Sequence, residues 1–324
     1  MGTAGTSSAS PGAAGTGSGV PDPGSPVLPE QQQPLPAGTL TAGSFDDALN
    51  EAIFTEYYKQ TGLGGLGIES LANADWKALI PPRTEAPHAA LDVAFVIDVT
   101  GSMSDELRYL QVEFKDIMNQ VKARFPAVRQ RFGLVVYRDE GDEFITRGMQ
   151  FSDDLEVFHA FLGAQSAGGG GDYEEAVHLA FADANQRFSW GSQDVAKILF
   201  HVADAPSHDP FVKATLEQVF LLKKAGVSIY PVAASGVADK AEAVMRTAAV
   251  LTGGQYLFLT DDSGVGSAHE KPHFPCYHVE KLKEIMIRAI GDKIQGTHTD
   301  PAPGSILRTV GTPVHGVCSE APVN

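Results

Sequence analysis

From residue 91 onward, short apolar runs alternate with longer segments in which apolar residues recur every three or four positions. Unbroken apolar runs are typical of strands buried on both faces, and the longer periodicity is typical of amphipathic helices. Alternating strands and helices favour a parallel sheet covered by helices. The sequence therefore predicts an α/β fold with a doubly wound, mostly parallel sheet and helices on both faces. The predicted strands cover residues 93–97, 132–137, 196–202, 227–233 and 255–259.

The segment 137–147 interrupts this alternation. Gly141 and Asp142 separate two apolar runs that lie too close together for a helical crossover, whereas a hairpin needs only a short turn. We therefore expect one antiparallel edge strand beside the second strand. Helices are expected around 107–121, 155–161, 174–188, 214–225, 238–251 and 279–290.

The rest of the chain divides by composition. Residues 1–40 are rich in Gly, Ser, Ala, Thr and Pro and carry two charged side chains, which is typical of a disordered tether. Residues 41–90 contain several large aromatic side chains and are expected to form an N-terminal appendage. The regular region forms a domain at 91–292, and a C-terminal tail follows at 293–324.

The charge balance argues against one class of partner. The formal net charge is -16, and the sequence lacks the clusters of Lys and Arg on which phosphate binding depends. No stretch approaches the roughly 20 consecutive apolar residues that a membrane-spanning helix needs. We therefore expect neither nucleic-acid binding nor a membrane span.

Oxygen-bearing side chains are expected at the carboxyl edge of the sheet, where doubly wound folds place their ligands. Asp98, Thr100 and Ser102 stand at alternate positions directly after the first predicted strand. Asp172 follows four consecutive glycines, and Asp204 follows the third strand. Taken alone, Asp172 is equally well explained as a helix cap.

Together these five side chains form an all-oxygen ligand set, which suits Mg²⁺, or Mn²⁺ or Ca²⁺, better than zinc. Without a cation, three buried carboxylates would repel one another or take up protons. The sequence therefore predicts a divalent-cation site at Asp98, Thr100, Ser102, Asp172 and Asp204. Asp172 binds the cation directly or through water, and a loop cluster without metal is the alternative.

Residues 98–102, Asp-Val-Thr-Gly-Ser, resemble the Asp-x-Ser/Thr-x-Ser signature of the metal-ion-dependent adhesion site of von Willebrand A (VWA) domains. The segment 169–173, Gly-Gly-Gly-Asp-Tyr, and the segment 204–206, Asp-Ala-Pro, resemble the hemicentin-like and alpha-kinase-associated subgroup that is common in bacteria. Thr100 keeps the hydroxyl where many members have Ser. Asp172 stands where integrin-type domains have Thr, which adds a negative charge.

The resemblance implies a Rossmann-like fold and a non-enzymatic interaction module. One coordination position of the cation would stay open for a carboxylate or another oxygen of a partner protein. Two alternatives remain: a metal-assisted hydrolase, and an accessory subunit that docks on a partner ATPase. Phosphohydrolases of the haloacid-dehalogenase type place a second Asp where Thr100 stands, which argues against the first alternative.

Cys276 and Cys318 are the two cysteines of the chain. A bridge between them would attach the tail to the segment before the last helix, and two unpaired thiols are the alternative. Cys276 also lies near His269, His273 and His278, so a zinc site is a further alternative. We expect an extracytoplasmic location, whether periplasmic, secreted or surface-tethered, with the cytoplasm as the alternative.

Overall fold

The centre of the fold is β2 (Ala90–Asp98), whose residues 91–98 are all buried. It pairs in parallel with β3 (Arg129–Tyr137) on one side and with β5 (Val195–Ala203) on the other. Parallel pairing continues through β6 (Ser228–Ala233) to β7 (Tyr256–Thr260). The computed structural model describes residues 1, 39–66, 71, 73–82, 86–263 and 272–319. The five predicted strands and their parallel sheet are confirmed.

Antiparallel strands lie at both ends of this sheet. At one end β4 (Thr146–Ser152) pairs with β3, which confirms the predicted antiparallel edge strand. At the other end β1 (Thr41–Phe45) lies between β7 and β8 (Tyr277–Lys281), and β9 (Arg308–Val310) follows β8. A separate two-stranded sheet joins β10 (Pro313–Val314) to β11 (Val317–Cys318).

The strand β1 was not expected, because Thr-Ala-Gly-Ser-Phe lacks an apolar run. Its position depends on hydrogen bonding to two neighbours and on close packing, both of which join residues distant in sequence. A Cβ atom at Gly43 would collide with the ring of Phe258, so glycine allows this approach. The described residues of the predicted appendage and tail therefore contribute strands to the main sheet.

Helices cover both faces of the sheet, as predicted. One apolar layer joins the sheet to α5, α6 and α7, and the other joins it to α3, α4 and α8. None of the described helices combines the length and apolar character that crossing a bilayer requires. The helices are α1 (Glu51–Gln60), α2 (Trp76–Leu79), α3 (Ser104–Arg124), α4 (Leu155–Gly163), α5 (Val177–Arg187), α6 (Val212–Lys224), α7 (Asp239–Thr252) and α8 (Leu282–Gln295).

The helix α7 carries a fully buried cation, Arg246. Its Nη2 and Nε donate to the two carboxylate oxygens of Asp47 at 2.7 and 3.1 Å, and its Nη1 donates to Glu242 at 2.9 Å. The guanidinium also lies 3.8 Å from the ring centre of Tyr57. Because buried charges need paired partners, this network attaches the segment after β1 to the regular part of the fold.

A disulfide joins Cys276 to Cys318, so the bridge considered from the sequence is present. The bridge connects the residue before β8 to the end of β11 across 42 positions of sequence. Cys276 therefore has no thiolate to offer zinc, and the zinc interpretation of this region is wrong for that residue. His269 lies outside the described residues.

Replacing Asp47 by Ala is expected to lower the free energy of unfolding by about 3–5 kcal/mol, because Arg246 would remain buried with half of its carboxylate partners gone. Urea denaturation followed by circular dichroism measures this change. The matched control is Glu56→Ala on the exposed face of α1, which should stay within about 0.5 kcal/mol. A loss below about 1 kcal/mol for Asp47→Ala would show that the ion pair does not hold the segment.

Candidate metal centre

Three loops meet at the carboxyl edge of the sheet and are fastened to one another by backbone hydrogen bonds. Gly101 N donates to Gly169 O at 3.2 Å, and Gly168 N donates to Val99 O at 3.0 Å. Glu175 N donates to Pro206 O at 2.9 Å. The loops that carry Asp98, Asp172 and Asp204 are therefore adjacent, as the sequence predicted.

Asp98 is fully buried at the end of β2. Its Oδ1 accepts hydrogen bonds from Thr100 N at 2.9 Å and from Thr100 Oγ1 at 2.7 Å. Its Oδ2 is buried and has no hydrogen-bond partner among the described residues. The Tyr137 hydroxyl lowers the pKa of Asp98 through a side-chain hydrogen-bond interaction, and it also lies 3.1 Å from His201 Nε2. One oxygen of Asp98 is thus left without the partner that burial normally demands.

The remaining residues of the first loop connect Asp98 to Asp204. Thr100 Oγ1 lies 3.4 Å from Ser102 Oγ. A hydrogen bond from the Ser102 side chain lowers the pKa of Asp204, although burial outweighs it and raises that pKa overall. Asp98, Thr100, Ser102 and Asp204 therefore form one connected group, which we name the central site.

The central site disfavours the charged forms of its two carboxyl groups, Asp98 and Asp204. Burial, and then the charge of Asp204, raise the pKa of Asp98 to about 7. His201 contacts the Tyr137 hydroxyl. Burial lowers the pKa of His201 to about 3, so its ring is neutral. A neutral histidine supplies no charge that would compensate the carboxylates.

Asp172 lies in a neighbouring group with Asp139 and His208. One ligand atom from each of these three residues lies within 4.8 Å of the others. We name this group the rim cluster. It joins the end of β3, the glycine loop and the loop after Asp204, so Asp172 lies at the expected edge of the sheet and groups with Asp139 and His208.

Glu175 lies between the two groups and was not singled out as a site residue from the sequence. Its side chain is 3% exposed, and Oε2 has no hydrogen-bond partner among the described residues. Burial raises its pKa to about 9, with further contributions from Asp98, Asp139, Asp204 and Asp142. Its position three residues after Asp172 and directly before the apolar start of α5 was the available signal.

A divalent cation fits the donor set of the central site. Two carboxylates and two hydroxyls are hard oxygen ligands, and Asp98 Oδ2 is an acceptor that lacks a donor. A cation would supply the missing partner and reduce the repulsion that raises the pKa of Asp98. The residues could hold Mg²⁺, Mn²⁺ or Ca²⁺ without any change of side-chain type.

The von Willebrand factor A domain model matches residues 92–261, which is more than half of the chain. The chain belongs to the von Willebrand factor A domain family. The matched range contains every residue of the central site and of the rim cluster. Domains of this family commonly bind a divalent metal ion and act in protein interactions.

Individual relatives of this VWA chain are distant. An ariadne-like RING finger protein, R811, of Acanthamoeba polyphaga mimivirus is 32% identical over 123 residues, which are 37% of this chain and 11% of that protein. The conserved hypothetical protein BatB of Bacteroides thetaiotaomicron is 13% identical, with a TM-score of 0.42 over 63% of this chain and 98% of that one. The pilus adhesin SpaC of Lactobacillus rhamnosus GG is 11% identical, with a TM-score of 0.39 over 52% of this chain and 28% of that one.

With a chelator present, the free energy of unfolding is expected to fall as the pH rises from about 5 to about 8. The pKa values of Asp98 and Glu175 are raised in the folded state. The folded VWA chain therefore binds more protons than the unfolded chain in this range, and raising the pH withdraws that stabilisation. Urea denaturation at several pH values measures the slope.

In the same experiment Asp98→Asn should flatten the slope, because asparagine does not titrate. The matched control is Asp153→Asn, an exposed residue at the opposite end of the sheet, which should keep the slope of the unchanged chain. An Asp98→Asn slope equal to that of the unchanged chain would contradict the raised pKa.

Proposed function

We propose that this VWA domain is a metal-ion-dependent protein-binding module. Asp98, Thr100, Ser102 and Asp204 hold one divalent cation, and Asp172 completes the set through a water molecule. A partner protein supplies a carboxylate or another oxygen to the open coordination position. These are the five residues that the sequence predicted. Of the two predicted roles of Asp172, direct binding and binding through water, the second is the one proposed.

The observation that carries the proposal is Asp98 Oδ2, which is buried and has no hydrogen-bond partner of normal geometry among the described residues. A fully buried carboxylate oxygen without a donor costs free energy, on the order of 1–3 kcal/mol or more for a charged group. Asp98 has this cost, although a hydroxyl-rich loop lies directly beside it. A bound cation removes the cost, whereas a purely structural carboxylate would be expected to accept a second hydrogen bond.

Oxygen ligands of this type favour Mg²⁺, with Mn²⁺ and Ca²⁺ as the other candidates. The fastened loops support the proposal because they hold the ligands in place before the cation arrives. Pre-organised ligands lose little conformational freedom when they bind.

The surface around the central site indicates the chemistry of the partner. Tyr173 and Phe211 are exposed aromatic side chains, 39% and 36% accessible, and Phe211 stacks on His178 at 4.2 Å between ring centres. Tyr173 directly follows Asp172, and Phe211 comes three residues after His208. Asp139 and Asp172 add negative charge, so an acidic ligand would be favoured when Lys or Arg flanks it. A partner loop with an acidic residue, a basic neighbour and an apolar side chain fits this surface.

An extracytoplasmic location fits the proposal. The Cys276–Cys318 disulfide is of a kind that persists in oxidising compartments and is rare in the cytosol. A partner there would be an extracellular, periplasmic or surface protein.

Isothermal titration of the chelator-treated protein with Mg²⁺ tests the cation. The unchanged chain and Asp153→Asn should bind, and Asp98→Ala should lose the heat of binding at this site, because the central carboxylate is gone. Equal binding by Asp98→Ala would remove the central site as the cation's location.

Selection from a displayed peptide library in the presence of Mg²⁺ tests the partner chemistry. Recovered peptides are expected to contain Asp or Glu beside Lys or Arg and to elute with a chelator. They should not bind the Asp98→Ala variant. Peptides that stay bound in the chelator, or that bind Asp98→Ala equally well, would show that binding does not pass through the cation.

A further inference from the structure

The edge at which the parallel strands begin, which we name the amino edge, presents an exposed carboxylate on a short turn. Asp194 directly precedes β5. The turn is closed by a hydrogen bond from Val195 N to Ser192 O at 3.2 Å, and Ser192, Gln193 and Asp194 are all exposed. Asp194 is therefore accessible to another molecule at the end of the domain opposite to the central site.

Two bases lie beside Asp194 because of the register of the central strands. Arg129 and Val195, the first residues of β3 and β5, both pair with Ala90 at the start of β2. His88 comes two residues before that strand. Arg129 and, when it is protonated, His88 act on the Asp194 carboxyl with their positive charge. The fold thus places an acidic side chain between basic ones.

The two edges of the sheet carry charges of opposite sign around these positions. The helix α3 ends at the amino edge with the exposed bases Lys122 and Arg124, and the exposed Arg129 follows at the start of β3. Surfaces of opposite charge attract each other when two copies meet end to end. The carboxyl edge carries exposed acidic side chains around the central site, at Asp105, Glu140, Glu143, Asp172, Asp209 and Asp239.

The surroundings of Asp194 match the partner chemistry inferred for the central site, which is an acidic residue with a basic neighbour and an apolar side chain. Arg129 is the basic neighbour. Pro126 and Ala127 are exposed apolar side chains in the loop that leads to Arg129. One surface of this chain therefore has the composition that another surface of the same chain would bind.

The strand β5 determines how these two surfaces can meet. Asp194 stands directly before β5 and Asp204 directly after it. A strand of nine residues rises about 3.3 Å per residue, so the two carboxyl groups lie about 30 Å apart. Asp194 cannot reach the central site of its own copy, whereas a second copy displaced along the strand direction can present its Asp194 there.

We propose that the partner of the central site is a second copy of this chain, whose Asp194 supplies the oxygen at the open coordination position. The inference rests on the proposed function, because the cation joins the two copies. Arg129 beside Asp194 offsets the negative charge of Asp139 and Asp172. The contact joins two different surfaces, so each added copy leaves one of each surface unoccupied, and association continues into chains of copies.

Sedimentation velocity of the full chain at increasing protein concentration tests this inference. With Mg²⁺ the average mass is expected to rise with concentration, and with a chelator it should stay at the mass of one chain. Asp194→Asn keeps the size of the side chain and removes its charge, so this variant should stay monomeric in Mg²⁺. The matched control is Asp153→Asn, an exposed residue at the same edge, which should assemble like the unchanged chain.

A mixture of two variants tests the head-to-tail arrangement. Asp98→Ala lacks the cation site and keeps Asp194, whereas Asp194→Asn keeps the cation site. Each variant alone should be monomeric, and an equimolar mixture in Mg²⁺ should form particles of twice the mass of one chain and no larger ones. Assembly of either variant alone, or a mixture that stays monomeric, would contradict the proposed contact.

Titration of Asp194→Asn with Mg²⁺ separates this inference from the proposed function. This variant should bind Mg²⁺ as the unchanged chain does, because Asp194 lies outside the central site of its own copy. If both bind Mg²⁺ but the unchanged chain stays monomeric at every concentration, the inference is overturned and the proposed function stands. If the unchanged chain binds no Mg²⁺, the proposed function fails and the inference fails with it.

Discussion

The burial of Asp98 at the end of β2 is the constraint on which the candidate site depends. The strand is buried on both faces, so the carboxylate that ends it has no access to water. Thr100 satisfies one of its oxygens from the backbone and from the side chain, and the other oxygen has no hydrogen-bond partner of normal geometry among the described residues. Burial, and then the charge of Asp204, raise the pKa of Asp98. A bound cation would offset the cost of this arrangement.

The helix α7 contains a buried charge that has ion-pair partners within the protein. Arg246 is as deeply buried as Asp98, but Asp47 and Glu242 satisfy it within the protein. Each guanidinium nitrogen of Arg246 donates to a carboxylate in that network. Arg246 is a buried charge with carboxylate partners, whereas Asp98 is a buried charge with one unpartnered oxygen. This difference is why we assign a structural role to Arg246 and propose a binding role for Asp98.

Local patterns were enough to predict the parallel sheet, the hairpin at β4 and the loops that carry Asp98, Asp172 and Asp204, because apolar runs and turn residues are read from neighbours in sequence. The strand β1 was missed since its residues become a strand through pairing with β7 and β8, far along the chain. The sequence also grouped Asp172 with the central site. Its pairing with Asp139 and His208 depends on loop conformation, which the spacing of ligand residues does not determine.

The most direct test of this account is anomalous diffraction from crystals grown with Mn²⁺, measured on both sides of the manganese absorption edge. A peak is expected at about 2.0–2.6 Å from the oxygens of the central site, on the side of Asp98 Oδ2. A crystal without a peak there, in which Asp98 Oδ2 accepts a hydrogen bond from the protein or from an ordered water, would contradict the claim that this buried carboxylate exists to hold a cation.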